Sequence, residues 1–360
     1  MRWFRTQRRP LPWRRDRDPY RIWVAEVILQ QTRVAQAVPY YDRFLAAFPT
    51  VRALAAARLA EVLKVWQGAG YYARARHLHA AARLVQQRYG GALPREVPEL
   101  ERLPGIGPYI ARAIASLAFR APVVALEANG LRVATRWTRD GGDVRRPSVR
   151  RRLEATLART IPAGVAGEFN EAIMELGETI CRPRDPRCES CPVAFGCRAY
   201  RETDEPARWP RRRSRTRRPH VRAAVVVLSD RGRWLLQRRP LSGLLGGLYA
   251  FPGGKIGPGE QPVAAARREL REETGLEAGP LRDRGVVRHA YSHFTVELHV
   301  FEGARDPRRP LTPAHGRRWV RPQDVARLPI PKATEKIVRL LLPAGRASPD
   351  SESHRGRTRA

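Results

Sequence analysis

Leu103-Pro104-Gly105-Ile106-Gly107-Pro108-Tyr109 is the stretch on which the reading of this 360-residue chain turns. Its two glycines let backbone amides point outward, and a helix N-terminus follows. That geometry binds a phosphate without reading sequence. A plain tight turn fits the same residues, so the neighbours decide. Ahead of it, apolar residues recur at spacings of three and four through 22–38, 40–47, 54–66 and 73–89. Phe48-Pro49-Thr50, Gln67-Gly68-Ala69-Gly70 and Gly90-Gly91 punctuate them. Behind it, 108–119, 127–138, 147–160 and 167–180 read as further helices. No strand pattern precedes residue 181, so the first half is expected to be all-helical.

Four cysteines follow within seventeen residues: Cys181-x6-Cys188-x2-Cys191-x5-Cys197. A disulfide scaffold spreads its cysteines over the fold, whereas clustered ones read as metal ligands in a reducing compartment. Four thiolates suit a tetrahedral zinc or an iron–sulfur cluster, and chemistry alone leaves both open. Arg182, Arg184, Arg187 and Arg198 surround them, as a loop gripping a DNA backbone would have it.

Beyond the cysteines the character changes. Residues 201–219, RETDEPARWPRRRSRTRRP, read as a basic linker. From 221 onward come β-rich runs at 221–228, 234–238, 286–289 and 294–301, interrupted by one helix at 260–273. The expected plan is a helical domain over 1–200, the linker, an α+β domain over 220–343 and a disordered tail over 344–360.

Composition agrees with two folded domains. Hydrophobic residues make up 42% and charged ones 29%, which excludes a wholly disordered chain. No apolar run approaches the roughly 18 residues that span a bilayer. The opening MRWFRTQRRP lacks a secretory apolar stretch, so neither a membrane nor an exported protein is expected. Lys and Arg number 68 against 35 Asp and Glu, a surplus of +33 that suits a nucleic-acid partner. Only Lys64, Lys255, Lys332 and Lys336 are lysines, so a coding preference for arginine explains part of that surplus equally well.

The cysteine spacing, directly after a helical domain, resembles the [4Fe–4S] loop of the endonuclease III and MutY glycosylase superfamily. The segment at 103–109 is similar to the helix-hairpin-helix of those enzymes. Three motifs resemble the signatures of the MutY family, the A/G-mismatch adenine DNA glycosylases: Leu11-Pro12-Trp13-Arg14, Glu26-Val27-Ile28-Leu29-Gln30-Gln31-Thr32 and Gly70-Tyr71-Tyr72-Ala73-Arg74-Ala75-Arg76. The resemblance spans about residues 10–200. It implies a monofunctional glycosylase that removes adenine opposite 8-oxoguanine or guanine in double-stranded DNA. It further implies a [4Fe–4S] cluster on the four cysteines, a monomer, and a cytoplasmic, nucleoid-associated location.

Breaking the glycosidic bond leaves an oxocarbenium-like sugar. It needs an acid for the base, negative charge near the sugar and a water nucleophile. Glu26 lies among Val24, Ala25, Val27 and Ile28, an apolar setting that keeps a carboxyl protonated. By resemblance it protonates adenine N7 and then helps activate water. Where the family carries Asp in a motif like LDGNVxRV, this chain reads Leu126-Glu127-Ala128-Asn129-Gly130-Leu131-Arg132-Val133. Glu127 then stands as the electrostatic stabiliser with an extra methylene, and Asn129 joins it in the catalytic set. Tyr109 occupies the position at which relatives with lyase activity use a Schiff-base lysine. The resemblance also has Gln31 and Tyr71 intercalating, Gly105 and Gly107 on the DNA backbone, and Trp13, Arg14 and Glu175 lining the adenine pocket.

In the second half, Gly254-x5-Glu260-x7-Arg268-Glu269-Leu270-x-Glu272-Glu273-x-Gly275-Leu276 fits the whole Nudix pattern. Glu269, Glu272 and Glu273 fall on one helix face, where clustered carboxylates call for Mg²⁺ or Mn²⁺. Metal-bound water would then attack a pyrophosphate. Arg268 and Glu260 would brace loop and helix. MutY proteins carry a domain of this fold that recognises 8-oxoguanine, usually with these carboxylates eroded. Gly243-Leu244-Leu245-Gly246-Gly247-Leu248-Tyr249 and Tyr291-Ser292-His293 fit that role, Ser292 contacting the lesion. The intact box adds a second expected activity beside the glycosylase, hydrolysis of a nucleoside diphosphate derivative. Two alternatives stay open: a Nudix pyrophosphohydrolase tethered to DNA by an impaired glycosylase half and, should Glu127 prove incompetent, a pure damage-binding module.

Overall fold

The computed structural model describes residues 1–211, 218–291, 294–307 and 316–342. The expected tail at 344–360, Ser292 and His293 therefore lie outside the described residues. The chain forms two compact units, Met1–Thr216 and Arg217–Ala360.

The first unit is helical throughout. Asp18 starts the Pro19–Leu29 helix by accepting bonds from the amides of Tyr20 and Arg21, with Pro19 in the first turn. Gly90, at φ 62°, ends the Ala73–Tyr89 helix in the left-handed region that glycine tolerates. The hairpin joins Val97–Glu101 to Pro108–Phe119. Ala128–Thr138 and Ala166–Thr179 pack so closely that a Cβ at Gly177 would lie 2.7 Å from that of Asn129. Trp23, Phe44, Leu54, Trp66, Ile110 and Ile114 are fully buried in this unit. Each such side chain contributes about 1.5–3 kcal/mol.

Two helix readings are corrected. The run at 22–38 is broken at Gln30–Arg33, not at Pro39, which sits inside the Val34–Ala47 helix. The run at 54–66 is two short helices, Val51–Ala56 and Leu59–Val65. The stretch 201–219 also departs from a free linker. Trp209 is buried and its carbonyl accepts from Arg136 Nε at 2.8 Å, so the helical unit extends past the expected end at residue 200.

The second unit is a mixed sheet of β1 (His220–Asp230), β2 (Arg233–Arg238), β3 (Tyr249–Ala250), β4 (Gly253–Lys255), β5 (Arg282–Ala290), β6 (Thr295–Ala304) and β7 (Arg317–Val320). The order is β3-β2-β1-β6-β5, with β4 also on β1 and β7 also on β2. β1 and β6 run parallel and the other pairs antiparallel. β1 is buried on both faces, which is why it reads as a continuous apolar run rather than an alternating one. Val225 and Val227 face the Lys332–Leu341 side, packed with Ile337 and Leu341. Ala224, Val226 and Leu228 face Ala265, Ala266 and Leu270 of the Pro262–Thr274 helix.

Candidate active site

A cleft of about 1220 Å³ opens in the first unit. The sequence-selected residues Trp13, Arg14, Glu26, Gln31, Tyr71 and Tyr109 all line it, as do Glu127, Asn129 and Glu175. They come from segments far apart in sequence, which the helical packing brings together.

Glu26 is 6% exposed on the Pro19–Leu29 helix. Tyr109, in the first turn after the hairpin, donates its hydroxyl to Glu26 Oε2 at 2.6 Å. Burial pushes the Glu26 carboxyl up to about 7. The Tyr109 bond opposes that rise, and the nearby Glu127 charge adds to it. Burial likewise holds the Tyr109 phenol well above its ordinary value, with Glu26 and Glu127 adding to it. The pair therefore shares a proton-rich, dry corner.

Glu127 is the N-cap of the Ala128–Thr138 helix and accepts from the amides of Asn129 (2.7 Å) and Gly130 (2.9 Å). The longer side chain thus curls back onto its own helix start, which fixes its carboxylate. Burial raises its pKa, and the two amides pull it down. Asn129 Oδ1 accepts from Arg132 Nη2 at 2.8 Å, while Arg132 Nε reaches the Cys181 carbonyl at 2.8 Å. Arg136, 2% exposed, donates to Cys181 Sγ at 3.3 Å and to the carbonyls of Arg182 and Pro183. One helix face therefore joins the Glu127 cap to the cysteine loop.

Glu175 is 1% exposed and fully engaged. Arg9 grips both its oxygens at 2.6 and 3.0 Å, and Arg14 Nη1 adds a bond at 2.9 Å. Burial alone would raise its pKa, but the arginines prevail and hold it low. Arg14 Nε turns to Glu171 at 3.0 Å, and Trp13 stands edge-on to Tyr41.

Gln31 and Tyr71 share an uncommon backbone feature. Both are non-glycine residues at positive φ, 60° and 46°. Gly105 is demanded by the fold: φ is +78°, and a Cβ there would lie 2.6 Å from that of His77. Gly107 is not: it has an extended backbone, and nothing lies within 4 Å of where its Cβ would stand. The space before the Pro108–Phe119 helix is open.

Cys181, Cys188, Cys191 and Cys197 are free thiols that line one small cavity with Arg136 and Tyr200. Burial pushes up Cys188, Cys191 (to about 11) and Cys197, and the neighbouring cysteines add to each rise. A cluster in which Cys188, Cys191 and Cys197 resist ionisation fits a bound group carrying compensating positive charge. Among the described residues no group of three or more His, Cys, Asp or Glu closes to the spacing of a single metal ion.

In the second unit, the Nudix residues assemble on β4 and the Pro262–Thr274 helix. Arg268 donates to both Glu260 oxygens (2.9 and 3.0 Å), to Glu269 (2.8 Å) and to Glu272 (3.1 Å). The bracing expected of Arg268 and Glu260 is present. Glu273 accepts from the Gly253 amide at 3.0 Å, and a Cβ at Gly254 would collide with the Glu269 carboxylate. One guanidinium offsets a single charge among Glu260, Glu269, Glu272 and Glu273, and Glu273 is not among its partners, so the cluster keeps the negative charge that a divalent cation would offset. Tyr291 stacks beside His289 and Phe294, at 4.6 and 4.8 Å between ring centroids.

Sequence reading missed Arg9, Glu171, Arg132 and Arg136. The last two left a signal, since arginines four apart interrupt an otherwise apolar helical face.

Helical unit, hairpin and acid-lined cleft define a base-excision DNA glycosylase of the helix-hairpin-helix superfamily, joined to a Nudix-fold unit. Residues 24–159 match the HhH-GPD superfamily of base excision DNA repair proteins, and residues 223–340 match the NUDIX domain. The first unit is similar to the solved structure of a thermostable thymine-DNA glycosylase, with a TM-score of 0.51 and 31% identity. That match covers 56% of this chain and 93% of the other. The adenine DNA glycosylase of Mus musculus is 34% identical over 391 residues, covering 94% of this chain and 76% of the relative. That of Mycolicibacterium smegmatis is 41% identical over 206 residues, covering 57% and 69%. The chain belongs to the adenine DNA glycosylase family.

Proposed function

We propose that this glycosylase removes adenine paired with 8-oxoguanine or guanine in duplex DNA, by hydrolysis and without strand cleavage. The observation that carries the reading is Glu26: buried, held near a pKa of 7, and bonded to a tyrosine. At neutral pH a sizeable fraction of Glu26 is a protonated acid facing the cleft. It delivers its proton to N7 of the flipped adenine, the C1′–N9 bond breaks, and neutral adenine leaves. Positive charge on the sugar is countered by Glu127, whose orientation the two helix amides fix. Water attacks C1′ and returns its proton to the Glu26 carboxylate, so atoms and charge balance. Tyr109 positions Glu26 through its 2.6 Å bond. It cannot form the imine that a lysine would. Lys64, the sole lysine of residues 1–219, bonds Gln67 and is not among the cleft-lining residues.

Gln31 and Tyr71 take the part of the wedge and Trp13, Arg14 and Glu175 that of the adenine pocket. Gly105 shapes the hairpin, and the open side at Gly107 leaves room for a phosphate to approach the amides. The four cysteines would hold a [4Fe–4S] cluster. When bound, it supplies positive charge and a rigid cross-link for the arginine-bearing loop. Tyr291, with Ser292 and His293, takes lesion recognition. Glu260, Glu269 and Glu272 brace Arg268, and Glu269, Glu272 and Glu273 would hold Mg²⁺ or Mn²⁺ for an added Nudix hydrolase activity. No helix is long and apolar enough to cross a membrane among the described residues, and a monomer working at the chromosome fits the reading.

The test is product analysis. Incubating the full chain with an A opposite 8-oxoguanine duplex is expected to release free adenine and leave the strand intact until alkali is added. Strand scission with a borohydride-trappable protein–DNA adduct would contradict the proposal.

A further inference from the structure

Arg74 lies at a junction that the account so far leaves unexplained. Its Nη1 donates to the carbonyls of Val27 (2.7 Å), Ile28 (2.9 Å) and Gln30 (2.6 Å), the C-terminal end of the helix that carries Glu26. Its Nη2 donates to Ala69 (3.0 Å) and Gly70 (3.2 Å), the turn that leads into Tyr71. The guanidinium also lies 5.4 Å from the Tyr71 ring centroid and 5.3 Å from that of Trp66. A side chain with five backbone acceptors in two segments about forty residues apart is a rivet between them. A planar fork of donors suits that task, and a lysine ammonium cannot span both sets.

What the rivet holds is specific. The next residue after each riveted segment is Gln31 in one case and Tyr71 in the other, and each stands at positive φ. Such backbone persists in non-glycine residues only where the surroundings over-determine it. We infer that Arg74 is a positioning residue: it locks Gln31 and Tyr71 as a preformed pair at fixed separation, ready to enter the base stack. The inference rests on the glycosylase reading of the cleft and adds to it the device that sets the wedge. Preorganisation of this kind moves an ordering cost from the moment of binding to folding.

The experiment uses the full chain, with helical circular dichroism checked in every variant. A Glu26→Gln background stops chemistry, and 2-aminopurine beside the target adenine reports unstacking. With the wedge intact, fluorescence at saturating protein is expected to rise severalfold. Adding Arg74→Lys is expected to remove most of that rise, as is Tyr71→Ala. In the Glu26 background-free chain, Arg74→Lys is expected to slow single-turnover adenine release by roughly tenfold or more, the scale of an ångström-level misplacement. A merely structural role would change the melting temperature and the protein needed for saturation, but not the fluorescence at saturation. Undiminished fluorescence in the Arg74→Lys variant overturns the inference, as does an unchanged release rate. Arg74→Gln gives the same readout should the lysine variant fold poorly. If wild type releases no adenine while its fluorescence still depends on Arg74, the activity reading falls and the positioning role stands.

Discussion

At the residue scale, the proposed chemistry turns on one proton. Glu26 acts only while protonated, so single-turnover adenine release is expected to fall as pH rises through about 7. Tyr109 lowers the Glu26 pKa by donating to it, so Tyr109→Phe is expected to move that alkaline limb upward in a pH–rate profile. The same shift has a stability sign. The folded-state pKa lies above the ordinary carboxyl value, so Glu26 supports folding fully below that value, and the support is lost as pH climbs through about 7. Glu26→Gln cannot ionise. Its melting temperature is therefore expected to gain on wild type between pH 5 and pH 8, and a constant gap in calorimetry would contradict the assignment. The apolar neighbours of Glu26 were legible in sequence because they are adjacent to it. The Tyr109 hydroxyl was legible only as a motif position, since its bond crosses 83 residues.

At the element scale, the hairpin offers the sharpest contrast. Gly105 is required by its φ and by His77, so Gly105→Ala is expected to destabilise the fold by ~1–3 kcal/mol. Gly107 has ordinary φ and open space, so Gly107→Ala should leave the unfolding free energy within ~0.5 kcal/mol while weakening duplex binding. Paired denaturation and binding titrations separate the two glycines, which are indistinguishable as letters. In the Nudix unit, Arg268 holds the Glu260 carboxyl below its ordinary value, so its support is present at neutral pH and lost as pH falls. Arg268→Ala is therefore expected to lower the melting temperature more at pH 7 than at pH 3. Elements with local causes were legible. The helices at 73–89 and 108–119 were read to the residue, because each carries its own periodicity and stop. The break at Gln30–Arg33 was not, because Arg74 holds it from forty residues away. β4 and β7 were missed as well, being three and four residues long and defined by their partners.

At the scale of the whole molecule, the cysteine loop and the cleft are one structure. Arg132 and Arg136 tie the helix capped by Glu127 to Cys181 and its neighbours. If the four cysteines hold the proposed cluster, removing its iron is expected to reduce adenine release as well as DNA binding, readable by following both against iron content. The division into two halves was legible from the change in periodicity, but its position was not. Trp209 sits in an arginine-rich stretch whose composition hides one buried side chain. The Nudix box was legible from its spacing, including the brace of Arg268 and Glu260, but the further bonds of Arg268 to Glu269 and Glu272 were not, because they depend on side-chain placement. The central claim is adenine release from the lesion pair through Glu26. Its most direct test is the single-turnover rate on A opposite 8-oxoguanine, with A opposite T and the Glu26→Gln variant run alongside. Fast release from the lesion pair alone, abolished in Glu26→Gln, is the expected result. Tight binding without release in wild type would contradict the account and show that Glu127 cannot serve in place of the shorter aspartate.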